Sequence, residues 1–327
     1  MPEIPENLMI RGLIPDSGDT VDSLCTFRPI EKTYAFVNIQ VTNDDRPQIL
    51  LCLDSDKNFF IMKFSNPGGD GWALTVIEAE CLKRLDHPHI PKFINLALVN
   101  RIPNAFETVE PVNLDKPIPV LMMEDLGHER IIRTLEYDLK LNRGPLPPSK
   151  ILLYMAQIAD ALDYAESKGV YHLDLKPANI LIAPDEEMAY LIDFNVAFFA
   201  GSNRFLSPQR LYNWIVGTPG YISPEGTHNS RADNVDYHKS QLYGFAVTIF
   251  ELLTGEIPTG TDPDPMEVMK RTTMASVDLI LIDNIKELNE KQKAKLKRFF
   301  KKTLSKDPAD RPKTAVRLIK AFKMAIS

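Results

Sequence analysis

One loop constrains the fold of this chain more than any other feature of the sequence. Residues 172–179 read H-L-D-L-K-P-A-N, and Asp193 follows the asparagine of that loop by 14 residues. Apolar periodicity predicts a helix over 150–168 before the loop, and short strands over 180–182 and 189–192 after it. The order, the spacing and the flanking strands together indicate one built site rather than two unrelated surface loops.

The residue types in this loop match what phosphoryl transfer requires. One carboxylate must orient the attacking hydroxyl, and oxygen ligands must hold Mg²⁺ against the phosphates. Asp174 can serve as the carboxylate, and Lys176 brings a cation beside it. We therefore predict Asp174 and Lys176 as catalytic residues, and Asn179 and Asp193 as metal ligands.

These motifs resemble those of the eukaryotic-type (Hanks-type) serine/threonine protein kinases, in which the catalytic loop reads H-R-D-x-x-x-x-N and the metal motif D-F-G. D-L-K-P-A-N is similar to the serine/threonine branch rather than the tyrosine branch. The resemblance implies an α+β, bilobal fold with a small β-rich N-lobe, which holds one main helix, and a large, mostly helical C-lobe. It also implies ATP and Mg²⁺ as cofactors, with Mn²⁺ as a substitute, and phosphoryl transfer to Ser or Thr hydroxyls of a protein substrate.

A change from strand-like to helical patterning divides the chain. We expect an N-terminal arm over 1–26, the N-lobe over 27–126 and the C-lobe over 127–327. In the N-lobe we expect strands over 34–41, 48–53, 58–64, 93–99 and 119–123, and one helix over 72–85. In the C-lobe we expect the helix over 150–168, capped by Ser149 and stopped by Gly169, and further helices near 239–254, 288–303 and 312–325. The proline-bearing stretch 103–119 is expected to be either slack or a docking insertion.

In the N-lobe, the run F-I-M-K ending at Lys63 stands where the family has V-A-I-K. The resemblance implies that this lysine contacts the α and β phosphates of ATP, and that a glutamate of the next helix holds it there. Glu78 follows Lys63 by 15 residues and is the expected partner. Glu80, two residues further round the helix, is the alternative.

The remaining nucleotide contacts are also implied by the resemblance. The run L-M-M-E-D-L over 121–126 looks like the hinge of the family, with Met123 as gatekeeper. The backbones of Glu124 and Leu126 would then face adenine, and Leu181 would contact it from the C-lobe. His172 is expected to be a packing residue rather than a base.

Two further motifs look like the end of an activation segment and its brace. G-T-P-G-Y-I-S-P-E ends at Glu225, and K-D-P-A-D-R-P contains Arg311. In the family these two residues form an ion pair within the C-lobe. Kinases of small molecules generally lack this ending, so a protein substrate is favoured. Thr218 is expected to bond Asp174 or Lys176 rather than to receive phosphate.

The sequence departs from the family pattern at five places. Residues 19–67 contain no glycine, so the phosphate lid expected over 42–47 has side chains where backbone amides should approach phosphate. The other four departures are single replacements, of which the change to asparagine is mild because Asn tolerates left-handed backbone. They are Ile61 for the alanine that packs on adenine, Leu173 for the arginine of H-R-D, Asn195 for the glycine of D-F-G, and Gln241 for an aspartate that braces the catalytic loop.

These departures leave two interpretations. In the first, the chain is an active serine/threonine kinase with a degraded phosphate lid, because every polar group with a chemical task is present. In the second, it is a pseudokinase that acts as a protein-binding or regulatory scaffold. We favour the first, since the lid mainly positions phosphates while the metals and the catalytic aspartate stabilise and orient the reaction.

Composition and charge bear on compartment and partners. No apolar run is long enough to span a bilayer and no signal-peptide pattern opens the chain, so we expect a cytoplasmic protein. The net charge of −6 argues against a nucleic-acid partner. Residues 286–323 nevertheless carry 14 Lys and Arg against 4 Asp and Glu, so the rest of the chain carries −16. We interpret this stretch as a solvated helix face, with a docking patch for an acidic partner or a membrane surface as the alternative.

Overall fold

A computed structural model describes residues 9–10, 34–41, 47–53, 58–65, 71–102, 112–127, 131–141, 144–202, 215–227 and 235–327. The chain divides into two compact units. The first comprises Met1–Asp86 and Pro91–His128, and the second His87–Ile90 and Glu129–Ser327. Of the expected N-terminal arm, only Met9–Ile10 is described, as a two-residue strand. The expected phosphate lid lies outside the described residues except for Pro47.

The first unit is built on an antiparallel sheet and one helix, α1, at Gly71–Leu82. Its six described strands follow the spatial order β1-β2-β3-β4-β6-β5. They are β1 Met9–Ile10, β2 Tyr34–Val41, β3 Pro47–Leu53, β4 Phe59–Phe64, β5 Phe93–Ile102 and β6 Val112–Glu124.

Buried and half-exposed residues alternate along β4, so one face of the strand belongs to the core of the first unit and the other does not. In β4 the residues Phe60, Met62 and Phe64 are buried, while Ile61 and Lys63 between them are half-exposed. The buried set joins residues of β3, β5 and β6 in one apolar cluster. Because side chains alternate across a strand, this packing places Ile61 and Lys63 together on the opposite face.

Strands β5 and β6 extend beyond the sequence prediction. Strands ending at 99 and beginning at 119 were expected, separated by a proline-bearing segment that includes Pro117. The structure pairs β5 and β6 as far as Ile102 and Val112. β4 pairs with β6 from Val120 onward, and just beyond that pairing the N–H of Ser65 donates to Pro119 O at 3.1 Å. Pro119 thus takes part in the sheet through its carbonyl, a bond that needs no N–H from the proline. Residues 112–119 are therefore strand, neither slack nor insertion, and 103–111 lie outside the described residues.

The second unit combines a three-stranded sheet with helices. The sheet has the order β7-β8-β9, formed by β7 Arg133–Thr134, β8 Ile180–Ala183 and β9 Met188–Leu191. The described helices are α2 Leu135–Leu141, α3 Pro148–Ser167, α4 Tyr237–Thr254, α5 Pro265–Met274, α6 Glu290–Thr303 and α7 Ala315–Ile326. None of the helices in the described ranges is long and apolar enough to cross a bilayer.

The helix ends follow local chemistry. Helix α3 begins at Pro148 with Pro147 at the cap position and no side-chain cap, so the prediction of Ser149 as N-cap was wrong. Proline suits the first helical position because its missing N–H would be unsatisfied there in any case. Gly169 has φ +72° just beyond the helix, which confirms the predicted stop. Helix α5 was not predicted, although Asp264 before Pro265 is a recognisable start signal.

Helix α4 runs through the core of the second unit. Nearly every residue from Gln241 to Leu253 is buried, so the helix is enclosed on all its faces. Its Gly244 approaches the backbone of Tyr221, where an added Cβ would lie 3.2 Å from the carbonyl oxygen. This close approach fixes the residues after Thr218 against the helix. Gln241 near its N-terminus reaches the backbone of the catalytic loop.

Candidate active site

A hydrogen-bond network holds the carboxylate of Asp174 on both oxygens. The hydroxyl of Thr218 donates to Oδ1 at 2.8 Å. Lys176 Nζ and Asn179 Nδ2 reach Oδ2 at 2.9 Å each. Lys176 also donates to Thr218 Oγ1 at 2.6 Å, which closes the network. The structure thus brings together Asp174, Lys176 and Asn179, and Thr218 bonds both Asp174 and Lys176, as predicted.

His172 is a packing residue, in agreement with the sequence prediction. It is fully buried, and its ring meets that of Phe194 edge-on with centroids 4.8 Å apart. Its Nε2 donates to the carbonyl of Ile192 at 2.8 Å, and its Nδ1 accepts from the N–H of Asp174 at 3.3 Å. Burial lowers the pKa of His172, so the neutral ring is favoured.

Two residues of the site adopt left-handed backbone although neither is glycine. Leu173 has φ +62° and Asp193 has φ +66°. Asn195 does not have a positive φ, so its ability to tolerate a left-handed backbone is not needed in this structure. Strained backbone of this kind costs free energy and persists only where surrounding contacts hold it, as at functional loops.

The expected metal ligands differ in how they are held. Asn179 commits its Nδ2 to Asp174, by bonds to both Oδ2 and the carbonyl oxygen, while its Oδ1 accepts no hydrogen bond from any described residue. An oxygen left over in this way suits a hard cation such as Mg²⁺. Among the described residues no three His, Cys, Asp or Glu side chains cluster as a metal site. A cation on Asn179 and Asp193 would therefore complete its shell with phosphate oxygens and water, which is the usual coordination of Mg²⁺.

The predicted ion pair of the first unit forms between Lys63 and Glu78. Lys63 Nζ lies 2.6 Å from Glu78 Oε2, and the carboxylate is buried on α1. The alternative partner, Glu80, instead binds Lys83 and Arg84. Because side chains two positions apart point to different sides of a helix, only one of the two glutamates can face β4.

The residues expected to contact adenine lie at the end of β6, two residues after it, and in β8. Glu124 ends β6, and its backbone N–H donates to Lys92 O at 2.9 Å. Leu126 is buried two residues later. Leu181 is the half-exposed residue of β8, whereas its neighbours Ile180 and Ile182 are fully buried. Their part in nucleotide binding stays a prediction.

Gln241 braces the catalytic loop through its carbonyl end. Its Oε1 accepts from the N–H of His172 at 3.4 Å, and its Nε2 donates to Glu166 Oε2 at 3.3 Å. His238 binds the same carboxylate oxygen at 2.6 Å. Gln241 was identified from the sequence, whereas Glu166 and His238 were not. Only the tertiary fold brings Glu166, on α3, to the start of α4.

The end of the activation segment is fastened by the ion pair that the sequence predicted. Arg311 Nη1 and Nη2 bind the two carboxylate oxygens of Glu225 at 2.6 and 2.9 Å. Gly217, with φ +108°, allows the segment to pass close to the catalytic loop, because a Cβ there would lie 2.9 Å from Leu173 O. This close approach brings Thr218 to Asp174.

Comparison with known proteins agrees with this geometry. A model of the protein kinase domain matches residues 48–322. The chain is 26% identical over 241 residues to serine/threonine-protein kinase pkn3 of Myxococcus xanthus, covering 73% of this chain and 39% of that protein. It is 28% identical over 213 residues to PknB of Mycobacterium leprae (62% and 30%), and 37% identical over 134 residues to PknH of Mycobacterium bovis (41% and 21%).

The chain therefore spans between about a fifth and two fifths of the length of these three relatives. All three relatives are named as serine/threonine protein kinases. The family match extends across both units described above, and it includes the Lys63–Glu78 pair and the network around Asp174. The α+β fold class expected from the sequence is confirmed, and the chain belongs to the Hanks-type serine/threonine protein kinase family.

Proposed function

We propose that this chain transfers the γ-phosphoryl group of ATP to Ser or Thr hydroxyls of a protein substrate. The observation that carries the proposal is the network that fixes Asp174 through Thr218, Lys176 and Asn179. A carboxylate held on both oxygens keeps one orientation, which is what a base that positions an attacking hydroxyl needs.

In this mechanism each residue has one task. Asp174 orients the substrate hydroxyl and accepts its proton as the hydroxyl oxygen bonds to the γ-phosphorus. The bond between that phosphorus and the β–γ bridging oxygen breaks, and ADP leaves with the electron pair. Lys176 stabilises the negative charge of the transferred group, because its ammonium is held within 3 Å of Asp174. A bound Mg²⁺ or Mn²⁺ would neutralise phosphate charge, with Asn179 and Asp193 as its protein ligands.

The nucleotide contacts of the proposal rest on the first unit and on β8. Lys63, held by Glu78, would bind the α and β phosphates. The backbones of Glu124 and Leu126 would face adenine, and the half-exposed Leu181 would offer it an apolar surface. The bond between Thr218 and Lys176 supports a protein substrate, since it ties an activation-segment ending to the catalytic loop.

The alternative is a pseudokinase that binds a partner without turnover. The absence of glycine from residues 19–67 favours it, because side chains then stand where the phosphates would be covered. Ile61 favours it as well, since a larger residue than alanine lies on the face that carries Lys63.

Incubation with radiolabelled ATP and Mg²⁺ or Mn²⁺, alongside the Asp174→Asn variant, separates the two functions. We expect phosphate incorporation by the parent and a loss of about 1,000-fold or more in the variant, because the hydroxyl loses its base. Asp185→Asn is the matched control: it makes the same change at an exposed turn between β8 and β9 and should keep the parent rate. Thermal stabilisation by ATP·Mg²⁺ without any incorporation would establish the pseudokinase.

A further inference from the structure

An open groove of about 860 Å³ lies along α6 and α7 in the second unit. Its rim carries exposed or half-exposed cations from both helices and from the loop between them, namely Lys295, Arg298, Lys302, Lys313 and Arg317. Asp310 is the one acid among the lining residues, and it accepts a hydrogen bond from Ser305 Oγ at 2.8 Å. The groove is therefore strongly positive, in a chain whose net charge is −6.

The groove cations differ from two lysines of the same helix, Lys293 and Lys297, which form ion pairs with Glu290 and Asp283. Within the described part of the chain, no acidic side chain pairs with Arg298, Lys302 or the groove cations of the 313–317 stretch. Lys291 and Lys301 of the same helix also form no ion pair with a described residue, so what sets the groove cations apart is that they line one concavity. Like charges in such proximity raise the local potential.

Apolar surface is exposed in the same groove. Met324 on α7 is 65% exposed, and Ala321 and Phe299 also line the concavity. A helix of 14 residues is about 21 Å long, which matches about six residues of extended polypeptide. A partner with acidic residues at the rim and one apolar side chain at Met324 would satisfy both features.

We propose that this groove is a docking site for an acidic, extended polypeptide segment with an apolar anchor residue. We choose an acidic occupant because of charge complementarity: five cations line the rim, and the lining residues include a single acid. A long nucleic acid fits less well, since the rest of the chain carries −16 and would repel it. A membrane surface fits less well too, because a flat bilayer would not fill a groove between two helices.

The test measures binding of a fluorescein-labelled peptide of about ten residues, Glu and Asp with one central Leu, by fluorescence anisotropy at about 0.15 M salt. Two variants of α6 remove the same charge from the same helix. Arg298→Gln with Lys302→Gln alters the groove, and Lys297→Gln with Lys301→Gln alters residues that do not line it. We expect the groove variant to raise Kd about fivefold to tenfold and the control variant less than twofold.

Three results would overturn the proposal. The first is equal weakening by both variants, which would mean long-range attraction without a groove. The second is no peptide binding at about 1 mM. The third is groove-dependent binding of phosphatidylserine vesicles with none of the peptide, which would assign the surface to membranes. Met324→Ser gives a separate check, since loss of the apolar contact should weaken the peptide about threefold while vesicles of phosphatidylcholine show no binding.

Discussion

Each of the two units holds a largely buried ion pair, and the two pairs have the same length. Lys63 Nζ lies 2.6 Å from Glu78, where the cation is 21% exposed and the acid 1%. Arg311 Nη1 lies 2.6 Å from Glu225, where the cation is 0% exposed and the acid 19%. The exposure is thus reversed between the two pairs, so distance alone does not tell what each pair does.

The two ion pairs differ in which partner is exposed to solvent. Arg311 is fully buried, and its N–H groups donate to Glu225 and to the carbonyls of Ser305 and Lys239. Its guanidinium also lies 5.0 Å from the centre of the Tyr243 ring. The Lys63 side chain is partly exposed to solvent, while a buried acid fixes the direction of its ammonium. We call Arg311–Glu225 the brace, because it holds two segments together, and Lys63–Glu78 the working pair, because its cation is partly exposed, as the proposed phosphate contact requires.

The largest expected effect comes from neutralising the working pair. Lys63→Met combined with Glu78→Gln should lower turnover about 1,000-fold, or about 4 kcal/mol of transition-state stabilisation, because the phosphates lose their cation. The free energy of unfolding should change by no more than about 1 kcal/mol, since a buried ion pair replaced as a unit leaves no lone charge. Steady-state kinetics and urea denaturation measure the two effects.

The matched control for this variant uses a pair at the C-terminal end of the same helix. Lys83→Met with Glu80→Gln removes a neighbouring, more exposed pair and should leave turnover near the parent value. Equal loss of turnover in both variants would refute the assignment of Lys63 to phosphate binding. A steep loss of stability in the Lys63 variant with turnover retained would make the pair a brace like Arg311–Glu225.

Breaking the brace should act on stability. Glu225→Ala leaves the guanidinium of Arg311 buried without its carboxylate, and we expect a loss of about 3 kcal/mol in the free energy of unfolding. Urea denaturation would detect it as a lower midpoint with an unchanged slope. Glu136→Ala removes the exposed partner of Lys140 and should cost less than about 0.5 kcal/mol. A comparable loss in both would mean that burial does not decide the strength of the Glu225 pair.

Gln241 extends the comparison, because this neutral side chain links two segments by hydrogen bonds, as the Arg311–Glu225 ion pair does. Restoring the aspartate of the family should destabilise this chain by about 1 kcal/mol, since the new carboxylate would lie near that of Glu166. In the Glu166→Gln background the same change should be neutral or stabilising. A double-mutant cycle on unfolding free energies measures this coupling. If the effects of Gln241→Asp and Glu166→Gln simply add, the Glu166 carboxylate is not the reason that position 241 is glutamine.

The sequence predicted the parts of the site that depend on local spacing. Asp174, Lys176 and Asn179 stand in one tight loop, and the helical repeat separates Glu78 from Glu80, so both groups could be assigned before any fold was known. Contacts between distant segments were harder. The Glu225–Arg311 pair was predicted only because two motifs resembled a family, and the bond from Gln241 to Glu166 was missed because no local pattern connects α3 with α4.

Backbone conformation was the least accessible to sequence reasoning. By residue type Asn195 would tolerate a left-handed backbone, but the structure has this conformation at Leu173 and Asp193 instead. Residue preferences for this region differ by only a small free energy, so the path that tertiary contacts impose on a loop decides where it occurs. Pro117 illustrates the same limit, since the structure has strand at this residue where the sequence predicted none.

The smallest expected effect concerns a place where the family uses an ion pair and this chain has none. Leu173 replaces the arginine that meets a phosphorylated activation-segment residue, and it lines a small cavity with Val216 and Ile222. Ser202 is fully buried and its Oγ accepts from Phe199 N–H at 3.3 Å, so it is closed to modification in this fold. Ser207 lies outside the described residues.

Activation-segment phosphorylation should therefore be unnecessary for activity, because at this point of the segment Leu173 lies with apolar Val216 and Ile222 instead of meeting a phosphate. Phosphatase-treated protein and the Ser202→Ala/Ser207→Ala variant should keep the initial rate within about threefold of the parent, or about 0.7 kcal/mol. Thr218→Val is the contrasting variant: its hydroxyl bonds Asp174 and Lys176, so its loss should slow transfer whatever the phosphorylation state. A loss of about tenfold or more on phosphatase treatment would mean that another basic residue does the work of the missing arginine. The segment would then be held by charge, as Glu225 is, rather than by burial.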